Sequence, residues 1–141
     1  MIKIYKVLTK NDTGETHSHQ SGITIPKKVA SAGIFPDLGT ETLNPREEVI
    51  FFDENGTKFV FQYIYYNDVF FGKPKHQAHN EHRLTCVKDF IRENNIKSGD
   101  SIWFAIDENN VRHIGFEKAE VEQKEPRTFI KLTGGWKYIK I

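Results

Sequence analysis

The sequence predicts a β-dominated (α+β) fold in which seven or eight short strands form a barrel-like sheet accompanied by two short helices. Eleven Phe, five Tyr and two Trp among 141 residues favour strands, because aromatic side chains pack well on a pleated surface. Short runs of alternating apolar and polar residues recur between turns marked by Gly, Pro and Asn. This length suits one domain with its own core, so we expect residues 1–141 to form a single domain.

The first half of the chain contains four of the predicted strands. Residues 2–8 alternate between apolar and polar side chains, and residues 22–25 form a second short apolar run. Residues 48–52 and 57–66 flank a segment with an Asn-Gly pair, which is a strong signal for a hairpin turn. The run over 57–66 is long and aromatic, and we expect it to cross the centre of the sheet.

Both predicted helices are bounded by residues that start or end helices. Pro26 suits a first helical turn, and Gly33 would end a helix over residues 27–32. Residues 87–95 place apolar side chains on one helical face and finish in an Asn-Asn pair.

The second half of the chain supplies the remaining strands. Residues 101–107 carry apolar side chains on one face, and an Asn-Asn turn leads back into residues 111–116. Residues 117–127 form a charged connector, after which a Gly-Gly pair separates strands over 129–132 and 136–141.

A polar segment at residues 11–27 interrupts the strand pattern. Its centre is rich in His, Ser, Gln and Thr and has no large apolar residue, so most of it must form a loop between two strands. Side chains that both donate and accept hydrogen bonds are suited to contacting base edges and phosphates. From composition alone, a solvated hairpin loop is the alternative.

A second polar motif, NEHRLT at residues 80–85, lies at the expected entry to a strand. On an extended strand Glu81 and Arg83 face the same way. The arginine fork can bind guanine O6 and N7, and the glutamate can accept from cytosine N4, so the two could contact one G·C pair. A surface ion pair along one strand face is the alternative, and in either case we expect exposed side chains.

Together these motifs resemble the amino-terminal effector domain of EcoRII-type restriction endonucleases. The resemblance is carried by NDTG at residues 11–14, HQSGI at 19–23, IPK at 25–27, NEHRLT at 80–85 and the KSGD turn at 97–100. It implies an open pseudobarrel of the superfamily that includes the plant B-three transcription-factor domains. In that family two arms, here about residues 11–27 and 72–85, grip the major groove of double-stranded DNA.

The resemblance also implies which residues contact DNA. Two histidines, His79 and His82, stand where the EcoRII domain has other basic residues, so the recognised sequence need not be the same. The expected base-contacting residues are His19, Gln20, Thr24, His79, Glu81, His82 and Arg83. The expected backbone-contacting residues are Ser18, Lys27, Lys73, Lys75 and Asn80.

The implied function is sequence-specific recognition of a short double-stranded DNA site, without catalysis by the domain itself. A nuclease domain, covalently linked or a separate partner, would then supply the cutting activity. One alternative is a reader of modified DNA from a modification-dependent McrB-type restriction system. A small metal-dependent nuclease is the alternative from a different class.

We expect no cofactor and no metal. The histidines at 76, 79 and 82 with Cys86 lack a paired Cys-x-x-Cys motif, and His79 and His82 would point to opposite faces of a strand. Cys86 is the only cysteine, no apolar run is long enough to cross a membrane, and the amino terminus lacks a signal-peptide pattern. A cytoplasmic protein without membrane contact is therefore expected.

The distribution of charge supports nucleic-acid binding better than the net charge of +1 does. A short basic stretch includes only one acid, Glu81, and such a local basic face suits phosphate contact. A scatter of solvated loop charges is the alternative. The stretch contains Lys73, Lys75, His76, His79, His82 and Arg83.

Overall fold

The computed structural model describes residues 1–15, 22–39, 41–67, 80–119, 129–131 and 135–139. Within these ranges the chain forms nine strands in one sheet and three short helices. The strands are β1 (Ile2–Val7), β2 (Ile23–Ile25), β3 (Arg46–Phe52), β4 (Lys58–Asn67), β5 (Asn80–Thr85), β6 (Ser101–Ile106), β7 (Arg112–Glu117), β8 (Phe129–Lys131) and β9 (Trp136–Ile139). The helices are α1 (Lys10–Thr13), α2 (Lys27–Ala30) and α3 (Lys88–Glu93).

The predicted fold class, a β-dominated open pseudobarrel, is confirmed, although the described residues form nine strands and three helices where we predicted seven or eight strands and two helices. The strand order is β2-β5-β4-β3-β7-β6-β1-β9-β8, and the described pairs are antiparallel except β3 with β7. That parallel contact, at Phe52 and His113, joins the two halves of the sheet, which curls while β2 and β8 stay at its edges. The long aromatic strand β4 lies between β3 and β5, third from the β2 edge, so it is an interior strand and not the central one that we predicted.

The inner face of the sheet buries a core dominated by aromatic rings. Phe51 and Phe104 are both fully buried, and their ring centroids lie 5.3 Å apart in an edge-to-face arrangement. Phe90 of α3 meets Phe59 of β4 at 5.1 Å and 87°, so the helix packs across the sheet. Burying each such ring contributes about 2–3 kcal/mol, which holds α3 in place although it has only six residues.

No helix in the described ranges is long and apolar enough to cross a membrane.

The segment that follows β1 begins in a helix, whereas the sequence analysis predicted loop from residue 11. Helix α1 is held by a capping box. The Thr9 hydroxyl accepts from the Asp12 amide at 3.3 Å, and the Asp12 carboxylate accepts from the Thr9 amide at 2.9 Å. Lys6 also pairs with Asp12. The signal was present as Thr-x-x-Asp, a variant of the usual Ser/Thr-x-x-Glu pattern.

The predicted turn over residues 97–100 is held by the buried carboxylate of Asp100. It accepts hydrogen bonds from the amides of Lys97 at 2.8 Å and Ala119 at 3.0 Å and from the Lys118 ammonium at 2.9 Å. Burial alone would raise the pKa of Asp100, but these three donors outweigh it and hold the pKa below its ordinary value. Asp100 therefore ties the entry of β6 to the residues that follow β7.

We predict that Asp100→Asn lowers the free energy of unfolding by about 2 kcal/mol at pH 7, because a charge-assisted acceptor is lost. The folded-state pKa lies below the ordinary 3.8, so the contribution is complete above that value and disappears as pH falls through the folded pKa. Urea unfolding of both proteins from pH 7 to pH 2 should show their stabilities converging below about pH 4. A constant difference in the free energy of unfolding across that pH range would contradict the role of Asp100 as a charged acceptor.

Candidate nucleic-acid interface

Strand β5 carries the second predicted motif and lies between β2 and β4. Arg83 is paired directly with Thr24 of β2 on one side and with Ile64 of β4 on the other. Directly opposed residues of antiparallel strands project from the same face, so these three side chains form one row. Arg46 of β3 is paired with Ile64 and extends this row by a second arginine, which the sequence analysis did not single out.

Glu81 and Arg83 project from one face of β5, as predicted from strand periodicity. The Arg83 guanidinium donates to the Glu81 carboxylate at 2.9 Å between Nη2 and Oε1. The Arg83 side chain is 11% exposed and the Glu81 side chain 31% exposed, so neither is the freely exposed arm residue that the sequence analysis expected. The ion pair holds the guanidinium fork in one orientation, and Tyr66 of β4 is the cross-strand partner of Glu81.

A groove of about 490 Å³ borders this face of β5. It runs beside Ile64 and Tyr66 of β4 and Thr85 of β5, and Lys88 and Asp89 of α3 form its far side. The face that presents Arg83 and Glu81 is thus bordered at one side by a groove whose lining includes one cation, Lys88, and one anion, Asp89.

Gly22 brings the end of the first polar segment against β5. It has a φ of +87°, and a Cβ on this residue would lie 2.2 Å from the carbonyl oxygen of Leu84. Only glycine accommodates both that backbone conformation and that approach. The contact places Thr24, which is exposed on edge strand β2, next to Arg83, and it places Lys27, exposed at the start of α2, shortly after the same edge.

His82 projects from the opposite face of β5, away from Glu81 and Arg83. Its ring stacks on Tyr65 with centroids 4.2 Å apart and on Tyr63 with centroids 5.5 Å apart. Burial lowers the pKa of His82, although the Asp37 carboxylate opposes the shift, so the imidazole is neutral near pH 7. The assignment of His82 as a base contact stays a prediction, and it would act as a neutral ring.

A buried asparagine fixes the point at which β4 leaves the sheet for the second arm. Asn67 is fully buried, its side chain donates to the Thr42 carbonyl at 2.8 Å, and its Oδ1 accepts from the Asn44 amide at 2.8 Å. The Asn44 side chain in turn accepts from the Asn67 amide at 3.1 Å. The predicted strand over residues 57–66 stopped one residue before Asn67, because nothing local distinguishes a buried, bonded asparagine from a turn residue.

Half of the predicted contact residues fall outside the described part of the chain. The backbone of Asn80 opens β5, but its side chain is not described. Among the described residues, no group of three or more His, Cys, Asp or Glu side chains is arranged to hold a metal ion. The predicted contacts outside the described ranges are Ser18, His19, Gln20, Lys73, Lys75 and His79.

We predict that Asn67→Ala lowers the free energy of unfolding by about 1–3 kcal/mol, because the Asn44 amide and the Thr42 carbonyl lose a partly buried hydrogen-bond partner. Urea unfolding measures this directly. Asn109→Ala, in the turn between β6 and β7, is the matched control and should stay within about 0.5 kcal/mol of the wild type. Equal stabilities for the two variants would show that the Asn44–Asn67 contact does not hold the root of the arm.

The family model described as restriction endonuclease EcoRII, N-terminal, matches residues 1–109 of this chain. Auxin response factor 14 of Oryza sativa subsp. japonica is 30% identical over 115 residues, which is 81% of this chain and 15% of that protein. Auxin response factor 19 of Arabidopsis thaliana is 31% identical over 81% of this chain and 9% of its own length. The chain therefore spans less than a sixth of these curated relatives.

A solved structure, the Arabidopsis FUS3–DNA complex, has a similar fold. Its TM-score is 0.61 at 23% sequence identity, and the alignment covers 82% of this chain and 96% of the FUS3 chain. The likeness thus extends over nearly the whole of the FUS3 chain.

Proposed function

The chain belongs to the family of EcoRII restriction endonuclease N-terminal domains, and we propose that it recognises a short, specific site in double-stranded DNA. The observation that carries the proposal is the row on β5 and β2, in which a preoriented Arg83–Glu81 pair lies beside Thr24. A protein of similar fold was solved with DNA, which supports the same class of ligand.

The paired side chains suit a G·C base pair in the major groove. The Arg83 fork donates to guanine O6 and N7, and the Glu81 carboxylate accepts from cytosine N4 on the other strand. Because Glu81 already orients the guanidinium at 2.9 Å, little side-chain entropy is lost when the fork meets the base. Thr24 and the predicted contacts His19, Gln20 and His79 would contact neighbouring bases, whereas His82, on the opposite face of β5, lies outside this row.

Phosphate contacts set affinity and register but carry no sequence information. Lys27 is exposed next to the β2 edge, where a phosphate of the bound strand would lie. The predicted contacts Ser18, Lys73, Lys75 and Asn80 would complete the grip from the two arms.

We further propose that the domain does not cut DNA and that a nuclease domain, linked or associated, supplies the chemistry. The family description supports this context. The chain also matches a small part of the length of auxin response factors, so similar domains occur in parent proteins of another kind. We place the protein in the cytoplasm, where such a system would meet DNA.

Selection from a pool of random duplexes, run with and without cytosine methylation, tests the proposal. We expect enrichment of one short motif that contains at least one G·C pair. Enrichment only from the methylated pool would identify a reader of modified DNA instead. Incubation of plasmid with the protein and Mg²⁺ should leave the DNA intact, and cleavage would identify the small nuclease. No enrichment from either pool would overturn the proposal.

We predict that Arg83→Ala weakens binding to the selected duplex by about 1–3 kcal/mol, the usual contribution of one bidentate base contact. Binding to random duplex should fall less, because only a positive charge is lost there. Arg83→Lys should also lose discrimination, since lysine cannot form the fork. Fluorescence anisotropy with both duplexes measures the ratio.

The control for this prediction is Arg112→Ala on β7, which loses a 2.6 Å hydrogen bond to the Ile34 carbonyl but should keep its discrimination. Because the Arg83 side chain is largely covered, Arg83→Ala should also cost about 1 kcal/mol of stability. A loss of stability with unchanged discrimination would make the Arg83–Glu81 pair purely structural.

We predict that Lys27→Ala weakens binding to selected and random duplexes about equally. The slope of log affinity against log salt should become shallower by about one unit, because one fewer counterion is released. Lys58→Ala, at the end of β4 remote from the arm, is the matched control and should leave the slope unchanged. DNA-binding titrations at several salt concentrations measure the slope. Equal slopes for Lys27→Ala and the wild type would show that Lys27 does not contact a phosphate.

A further inference from the structure

Helix α3, which follows β5, separates its charged side chains by sign. Lys88 and Arg92 are four residues apart and therefore share one face of the helix, and Asp89 and Glu93 share the neighbouring face in the same way. All four side chains are exposed. The helix is held on the core by Phe90, so its basic face has a fixed position relative to β5.

Lys88 lies where the row of side chains on β5 ends. Thr85 projects from the same face as Arg83, because two residues separate them along the strand. Cys86 then takes a φ of +69°, which turns the chain out of the strand, and α3 begins at Lys88. Lys88, Thr85 and Gly22 line the groove that borders the β5 face. Lys88 is thus a cation next to the proposed base-contacting row, on the side where the first arm returns to the sheet.

A second cleft continues from Lys88 along α3. Its volume is about 300 Å³, and Lys88 lines both this cleft and the groove, so the two are adjacent. Arg92 and Lys97 line the cleft on the side of α3, and Gly14 and Glu15, where the first arm begins, line the other side. Cations of α3 therefore lie beside both ends of the first arm.

The cleft carries more positive than negative charge. Its one carboxylate, Glu15, accepts from the Thr13 hydroxyl at 2.8 Å and from the Ser98 amide at 3.3 Å. These hydrogen bonds lower the pKa of Glu15. The three cations that line the cleft form no ion pair with one another's neighbours within the described ranges, although Lys97 acts electrostatically on Glu15. The cleft is therefore suited to an anionic ligand.

The spacing of these cations favours a chain of anions over one small anion. Lys88 and Arg92 lie about 6 Å apart along the helix axis, and both point to solvent and not into a closed pocket. A single small anion is held best by donors that converge on it, whereas a row of separate cations matches a row of separate phosphates. Each strand of DNA carries one phosphate charge for about every 3.4 Å of helix axis.

From this arrangement we infer that Lys88 and Arg92, together with Lys97, bind phosphates of the DNA backbone that flank the base-contacted site on the side of the first arm. The inference rests on the proposed function and adds a third contact region to the two arms. Such contacts add affinity and fix the register of the protein on the duplex, but they carry no sequence information.

The test replaces single phosphates by uncharged methylphosphonates along both flanks of the selected duplex, and fluorescence anisotropy measures binding. For the wild type we expect flanking positions, outside the enriched motif, at which neutralisation weakens binding about twofold to fivefold, the effect of one exposed charge contact. Arg92→Ala should abolish the effect at one of these positions, because the cation that meets this phosphate is gone. Lys88→Ala should abolish it at a position closer to the motif, because Lys88 borders the β5 groove.

Salt dependence gives a second readout on the same variants. Arg92→Ala should weaken binding to selected and random duplexes by the same factor and make the slope of log affinity against log salt shallower by about one unit. Arg92→Lys keeps the charge and should keep the slope. Lys58→Ala, at the start of β4, is the matched control and should change neither the slope nor the methylphosphonate profile. Thermal melts should be unchanged for all variants, because each removes an exposed side chain.

The outcomes separate this inference from the proposed function. Loss of the flanking effect in Arg92→Ala or Lys88→Ala supports the phosphate contacts. Discrimination that depends on Arg83, with methylphosphonate profiles and slopes equal to those of the wild type in both α3 variants, overturns the inference and leaves DNA recognition standing. Binding that the α3 variants weaken, but without any preferred sequence, overturns sequence-specific recognition and leaves the phosphate contacts standing. No duplex binding by the wild type overturns both.

Discussion

The pairing of β5 on both of its edges is the constraint on which the candidate nucleic-acid interface depends. With β2 on one side and β4 on the other, the backbone of β5 keeps a regular two-residue alternation. Odd-numbered side chains, Glu81 and Arg83, therefore project to one face, whereas His82 and Leu84 project into the barrel. A slip of one residue in either pairing would turn Glu81 and Arg83 into the barrel and turn His82 and Leu84 outward. The Arg83–Glu81 pair would then no longer lie beside Thr24.

Two local contacts maintain that register close to the arms. Gly22 lets the backbone of the first segment approach the Leu84 carbonyl, which seats a three-residue edge strand that would otherwise be weakly held. Asn67 and Asn44 exchange hydrogen bonds where β4 leaves the sheet. The roots of both arms are thus tied to the sheet, so their positions are set before any ligand arrives.

Around β5, the Arg83–Glu81 pair is held in one orientation, whereas the buried Tyr63 hydroxyl has no hydrogen-bond partner among the described residues. Arg83 is nearly covered and already paired, so its orientation is set in the unbound protein. On the inner side, the stacked rings of Phe35, Tyr63, His82 and Tyr65 connect the core to the rim of the barrel, yet the Tyr63 hydroxyl is unmatched. Among the described residues, the Tyr63 hydroxyl is thus a buried polar group without a hydrogen-bond partner, in contrast to the side chain of Asn67.

The sequence by itself determined the β-dominated class, the positions of most strands along the chain and the shared face of Glu81 and Arg83, because these follow from periodicity that each segment carries locally. Only the tertiary structure decided that Arg83 is mostly covered, that Asn67 is buried and that Lys88 lines both the groove beside β5 and the cleft at the start of the first arm. These features arise between segments far apart in the chain, and no residue pattern within one segment records its neighbours. Helix α1 could have been predicted from the sequence, because its capping box is a local pattern. It was missed because Asp12 stands where the usual pattern has glutamate.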